Sequence, residues 1–230
     1  MEDGQRLLRR LHSAFQVAAV AVGGQLAAAL ATGLPDPERL AEQPTRLFLF
    51  LLADALFTLL LIGIFLRSGR EGWRQIGWRR AKAAREALIG LLSVPLLLLA
   101  AYAVIQLFAL YWPHWSGLEN PLLDLIRGPA MLLLFLATSI LVGGFKEEIQ
   151  RAFVLERFRR DLGGVWVGLL LWSAFFGALH LLQGPDRATA AAVLGVLFGL
   201  LYLRKGHLAA PIAAHAVYDV VVVVLRYLDS

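Results

Sequence analysis

The 230-residue chain contains no cysteine. That excludes a disulfide, a thiolate nucleophile and any cysteine-ligated zinc site. Charge is scarce at 17% of residues, and no polar linker is long enough to divide the chain, so a single integral membrane domain over 1–230 is expected. Apolar–polar alternation with a period of two is absent, which argues against an outer-membrane barrel. The N-terminal MEDGQRLLRR leads into an apolar run without a small-residue cleavage site. That run reads as a retained first span rather than a removed signal peptide.

Hydrophobicity is what the chain has in excess. Apolar residues make up 59% and mean hydropathy is +0.67. The excess sits in long segments, and a spanning helix needs about 20 mostly apolar residues. The fold expected is all-α, a polytopic transmembrane helical bundle of about seven spans. They run roughly over 14–34, 47–66, 88–111, 129–160, 165–182, 188–203 and 208–225. The polar stretch LPDPERLAEQP separates the first two spans. The basic stretch RSGREGWRQIGWRRAKAAREA follows the second, and with Trp73 and Trp78 it suits the lipid headgroup region.

The net charge of +5 and pI near 10 would suggest nucleic acid in a soluble protein. Here the basic residues lie in loops, where they act as topology signals and lipid-headgroup contacts, so no nucleic-acid partner is expected. They cluster at Arg6, Arg9 and Arg10; from Arg67 to Arg85; at Arg157, Arg159 and Arg160; and at Arg204 and Lys205. With seven spans all four clusters fall on one side, which the positive-inside rule makes cytoplasmic, together with the N-terminus.

Against this background a few ionisable residues lie inside apolar segments, where burial is costly and function is the default reading. Glu147, Glu148 and Arg151 close the run that begins at Pro129. His180 lies in LLLWSAFFGALHLL, and His215 and Asp219 in LAAPIAAHAVYDVVVVVL. At 1.5 Å per residue, Glu147 lies about 20 Å up the fourth helix from its turn and His180 about 24 Å up the fifth. In the seventh span His215 lies about 12 Å and Asp219 about 18 Å above His207, so all can share one layer. The i,i+4 spacings pair Glu147 with Arg151 and His215 with Asp219, while Glu148 points about 100° away. A carboxylate and an imidazole can hold and deprotonate a water, and a second polar pair can stabilise an oxyanion. That chemistry suits peptide hydrolysis without a serine or cysteine nucleophile.

These residues fall into three ordered motifs: Glu147-Glu148-Ile149-Gln150-Arg151, Phe176-Gly177-Ala178-Leu179-His180 and His215-Ala216-Val217-Tyr218-Asp219. They resemble EExxxR, FxxxH and HxxxN/D of the CPBP family, the CAAX-protease-like intramembrane endopeptidases. The resemblance covers roughly 130–225, with a catalytic core expected over about 129–226. It implies that Glu147 and His180 activate the water, that His215 and Asp219 support the oxyanion, and that Glu148 and Arg151 are structural or electrostatic partners. Two departures stand out. The arginine comes one residue early; aligning on it would put Lys146 and Glu147 at the glutamate positions, and a lysine cannot be the base. Asp219 stands where the eukaryotic enzymes have asparagine, so it must be protonated to face an oxyanion or else orient His215.

Each motif alone also fits a plainer role: a helix-stabilising pair, a histidine bonded to a carbonyl, a packing pair between helices. Asp54 reads as a structural hydrogen bonder. His12, His114 and His207 read as span-end residues in headgroup or solvent regions. Gly143, Gly144, Gly195 and Gly199 read as close-packing positions. Two histidines and a glutamate can ligate zinc. HExxH is absent and the ligands would come from three helices, so no cofactor is expected and the glutamate mechanism is favoured over zinc. The expected activity is intramembrane hydrolysis of a membrane-associated peptide or protein in a prokaryotic plasma membrane. The competing readings are a non-catalytic scaffold or bacteriocin-immunity protein of the same fold, and a proton-coupled transporter, for which no repeat symmetry is visible.

Overall fold

The computed structural model describes residues 2–36, 43–118 and 120–229, and among these there is no strand. Of the polar stretch expected between the first two spans, residues 37–42 lie outside the described residues. Helix α1 (Glu2–Ala18) passes through a π-helical segment (Ala19–Gly23) into α2 (Gly24–Thr32). Then come α3 (Pro44–Ser68) and α4 (Ala83–Tyr111). Helix α5 (Pro129–Thr138) continues through a second π-helical segment (Ser139–Glu147) into α6 (Glu148–Asp161). Three more follow: α7 (Val165–Ala178), α8 (Pro185–Lys205) and α9 (Ala209–Leu228).

The punctuation is written in the sequence. Pro44, Pro129 and Pro185 open α3, α5 and α8, where a missing N–H costs nothing. Gly163 and Gly164 turn the chain after α6 with φ of +94° and +99°, a conformation that disfavours side chains.

Six of these rods are long and apolar enough to cross a membrane: Asp3–Thr32, Pro44–Ser68, Ala83–Tyr111, Pro129–Asp161, Pro185–Lys205 and Ala209–Leu228. Helix α7 is apolar but shorter. Large apolar side chains such as Leu30, Leu92, Leu133 and Leu170 are mostly exposed, the surface lipid would cover. The expected fifth span is therefore cut short. His180 N–H bonds back to Gly177 O at 2.9 Å, and the chain leaves through a 3-10 turn at Leu181–Gln183. His180 sits in the turn after a helix rather than in its interior.

The four basic clusters converge on one end of the bundle. Glu71 accepts from Arg157 and Arg160 at 2.8 and 2.7 Å, and Ser13 donates to Asp161 at 2.7 Å. Leu208 N–H bonds to Gly77 O at 3.0 Å, tying the 69–82 turns to the α8–α9 junction. His207 departs from expectation: it is buried, accepts from Ala209 N–H at 3.0 Å and donates to Ala81 O at 3.2 Å. Between this end and the middle of the bundle lies a solid apolar layer including Ile62, Leu66, Ile76, Phe153, Val154, Leu155 and Leu208, all almost fully buried.

Candidate active site

The rod Pro129–Asp161 changes character at its middle. Its first half is apolar; its second, EIQRAFVLERFRRD, carries polar residues yet is buried from Glu148 to Leu155. The two halves meet in the π-helical segment Ser139–Glu147, and such wide turns recur at functional sites. Gly143 and Gly144 in that segment let α9 approach closely. A Cβ on Gly144 would come to 2.7 Å from Ala216 Cβ, and one on Gly143 would overlap Asp219 Oδ2. Gly195 and Gly199 likewise face Ser173 and Leu169 of α7.

This close approach brings α9 to both glutamates. Glu148 is fully buried, and its Oε1 accepts from His215 Nδ1–H at 2.6 Å and from Arg151. The ion pair therefore runs Glu148–Arg151, not Glu147–Arg151 as the i,i+4 spacing suggested. Leaving the π turn, the helix directs Glu148 inward and Glu147 to the cavity wall. The Arg151 guanidinium lies 5.0 Å from the Phe176 ring and 5.5 Å from Phe198, so aromatic faces cover a charge that would be costly alone.

His215 is held on every side. Phe198 stacks on it at 4.4 Å and 17°, and Phe176 meets it edge-on at 6.0 Å. With Nδ1 committed to Glu148, its Nε2 faces Asp219 Oδ2 at 3.6 Å and Glu147 Oε2 at 3.7 Å. The expected His215–Asp219 pairing is thus a looser contact than the bond to Glu148. His180 donates from Nδ1 to Phe176 O at 2.7 Å, which in the neutral ring leaves Nε2 as an acceptor. Its ring lies 4.6 Å from Phe176.

Glu147, His180, His215 and Asp219 line one cavity of about 620 Å³. Glu148 and Arg151 lie behind its wall. Lys146 also lines the cavity and pairs with Asp54 of α3 at 2.8 Å, both buried. Thr58 donates to Asp54 at 3.2 Å. The sequence reading of Asp54 as a structural hydrogen bonder gives it no ionic partner, and it assigns no role to Lys146 or Phe198. The signal for the first was there: one buried cation and one buried anion in separate spans are each other's natural partner. Phe198 carried no signal apart from its place beside the small residues of GVLFG. Among the described residues, no group of three or more His, Cys, Asp or Glu is arranged to hold a metal ion.

Residues 128–221 match the family model described as Rce1-like, type II CAAX prenyl endopeptidase. The match is similar in kind to the CPBP resemblance carried by the three motifs. The matched segment contains all three motifs, and the match supports a CAAX-type intramembrane protease in general. With six rods long and apolar enough to cross a membrane, the protein is an integral membrane protein. No curated protein and no solved structure matches the chain.

Proposed function

We propose that the protein is an intramembrane endopeptidase that hydrolyses a peptide bond of a membrane-associated peptide or protein with a water activated by Glu147 and His180. The observation that carries this reading is the single cavity wall shared by Glu147, His180, His215 and Asp219. Glu147 takes a proton from a water that His180 Nε2 helps to hold. The hydroxide adds to the scissile carbonyl carbon, and its oxygen becomes an oxyanion. His215 as the imidazolium, with Nδ1–H on Glu148 and Nε2–H toward the cavity, and a protonated Asp219 donate to that oxyanion. Collapse breaks the C–N bond, and the leaving amine takes the proton back from Glu147.

Glu148 and Arg151 act through His215. Bonded to Glu148 through Nδ1, the ring is fixed in orientation with Nε2 toward the cavity. No step needs a metal, so activity should survive strong chelators; a stoichiometric zinc required for turnover would overturn the mechanism. The setting we propose is a prokaryotic plasma membrane with a cytoplasmic N-terminus, and a prenyl group on the substrate is not part of the reading. The test compares the peptides of membranes bearing wild type and Glu147→Ala. Cleavage products that vanish with Glu147→Ala support the protease; identical products from both would favour a scaffold instead.

A further inference from the structure

We infer that the cavity opens only toward the membrane face opposite the basic end, so that water and substrate reach Glu147 from the extracytoplasmic side. Three independent observations lead there.

The first is which helix ends build the cavity. Its lining takes Leu34 just past α2, Leu47 in the first turn of α3, Asn120 and Leu123 in the connection between α4 and α5, and Gln183 in the α7–α8 turn. Each of these lies at the end of its helix away from the basic clusters, because neighbouring rods run antiparallel. No residue of the basic loops is in the lining.

The second is what lies beneath the site. Below Glu148 and Arg151 the interior is filled by the apolar layer of Ile149, Phe153, Val154 and Leu155, all almost fully buried. A water path from the basic end would have to cross that layer.

The third is orientation. The basic clusters gather at one end, held by the Glu71 pairs and the Leu208–Gly77 bond, and the positive-inside rule puts such an end in the cytoplasm. The open end is then extracytoplasmic. Granted the protease reading, the substrate is an extended, largely apolar peptide segment presented at the outer half of the membrane. Leucines 122 and 123 and Phe135 line the cavity to receive its side chains, while Asn120 and Gln183 offer hydrogen bonds to its backbone. A lipid-modified tail displayed in the cytoplasm would face the closed end.

The cysteine-free chain allows a direct test by single substitutions. Ser139→Cys is nearly isosteric and places a thiol in the cavity lining within the π segment; Leu123→Cys and Gln183→Cys report its outer part; Arg74→Cys reports the basic end. Intact cells are treated with a small, charged, membrane-impermeant methanethiosulfonate, before and after permeabilisation. Thermal unfolding in detergent checks that each variant is folded. Labelling of Ser139→Cys together with Leu123→Cys or Gln183→Cys in intact cells is expected, with Arg74→Cys labelled only after permeabilisation. Labelling of Arg74→Cys in intact cells would overturn the orientation. A Ser139→Cys thiol that reacts only after permeabilisation, or never, would overturn the access. A companion assay presents one cleavable segment on either side of the membrane. Glu147-dependent cut of the outer display supports the inference, and Glu147-dependent cut of only the inner display overturns it. Because labelling needs no activity, cleavage that ignores Glu147 would remove the protease reading and the substrate class while leaving the access route standing.

Discussion

Gly143 and Gly144 are adjacent, and the same methyl group added to each should have opposite consequences. A Cβ on Gly143 would overlap Asp219 Oδ2 and come to 3.5 Å from His215 Nε2. The Asp219 side chain is 29% exposed, so it can swing into the cavity at an off-rotamer cost of about 0.5–1.5 kcal/mol. Stability should barely move. The oxyanion donor, however, leaves its place, and losing one such donor lowers kcat about 10²–10³-fold. A Cβ on Gly144 meets Ala216 Cβ at 2.7 Å and Ile212 O at 3.3 Å. Neither can rotate away, so α9 itself must shift, at about 1–3 kcal/mol of stability. Gly143→Ala should therefore melt close to wild type in detergent while losing cleavage of a membrane substrate; Gly144→Ala should melt lower. In an Asp219→Ala background Gly143→Ala should cost no further activity, because the clash and the donor are both gone. Full activity in Gly143→Ala, with a normal melting curve, would refute the role given to Asp219.

Replacing Arg151 by Met should cost about 3–5 kcal/mol by leaving Glu148 buried without its cation, and adding Glu148→Gln should recover much of that loss in a melting assay. Glu148→Gln alone should lower kcat more than it raises KM, since it loosens His215 rather than removing a substrate contact. Lys146→Met should destabilise by a similar amount through the stranded Asp54, with rescue by Asp54→Leu; no rescue would mean that the pair has a role beyond neutralising itself. Phe198→Ala removes the ring stacked on His215 and should cost about 3–5 kcal/mol, read by thermal unfolding.

Much of the fold was legible because apolar length and proline–glycine punctuation act locally. Pro129 and Gly163 with Gly164 bound their helices where the chain suggests, while Pro185 opens α8 three residues before the span expected from 188. The short α7 was not legible. Its apolar run continues through Leu181 and Leu182, but the chain turns at His180 through local hydrogen bonds that hydropathy does not register. At the site, the sequence brought out the motif residues but not their wiring. The i,i+4 rule assigns Arg151 to Glu147 on an ideal helix; here the π turn ends at Glu147 and the ion pair forms at i,i+3 with Glu148. The burial of His207 depends on the 69–82 turns folding back onto the α8–α9 junction, a contact between distant segments that no local pattern announces.

The π-helical segment makes the site a matter of residue count as much as of residue type. Removing any one residue between Ser139 and Phe145 would change the angular offset between the Pro129 side of the rod and Glu147 while leaving every motif intact. The α5 face that lines the cavity, carrying Phe135 and Thr138, would turn away from it. Two chains with identical glutamates, histidines and aspartate could then differ in function through a single deletion in a stretch of otherwise ordinary apolar sequence. In this helix, length is part of the code.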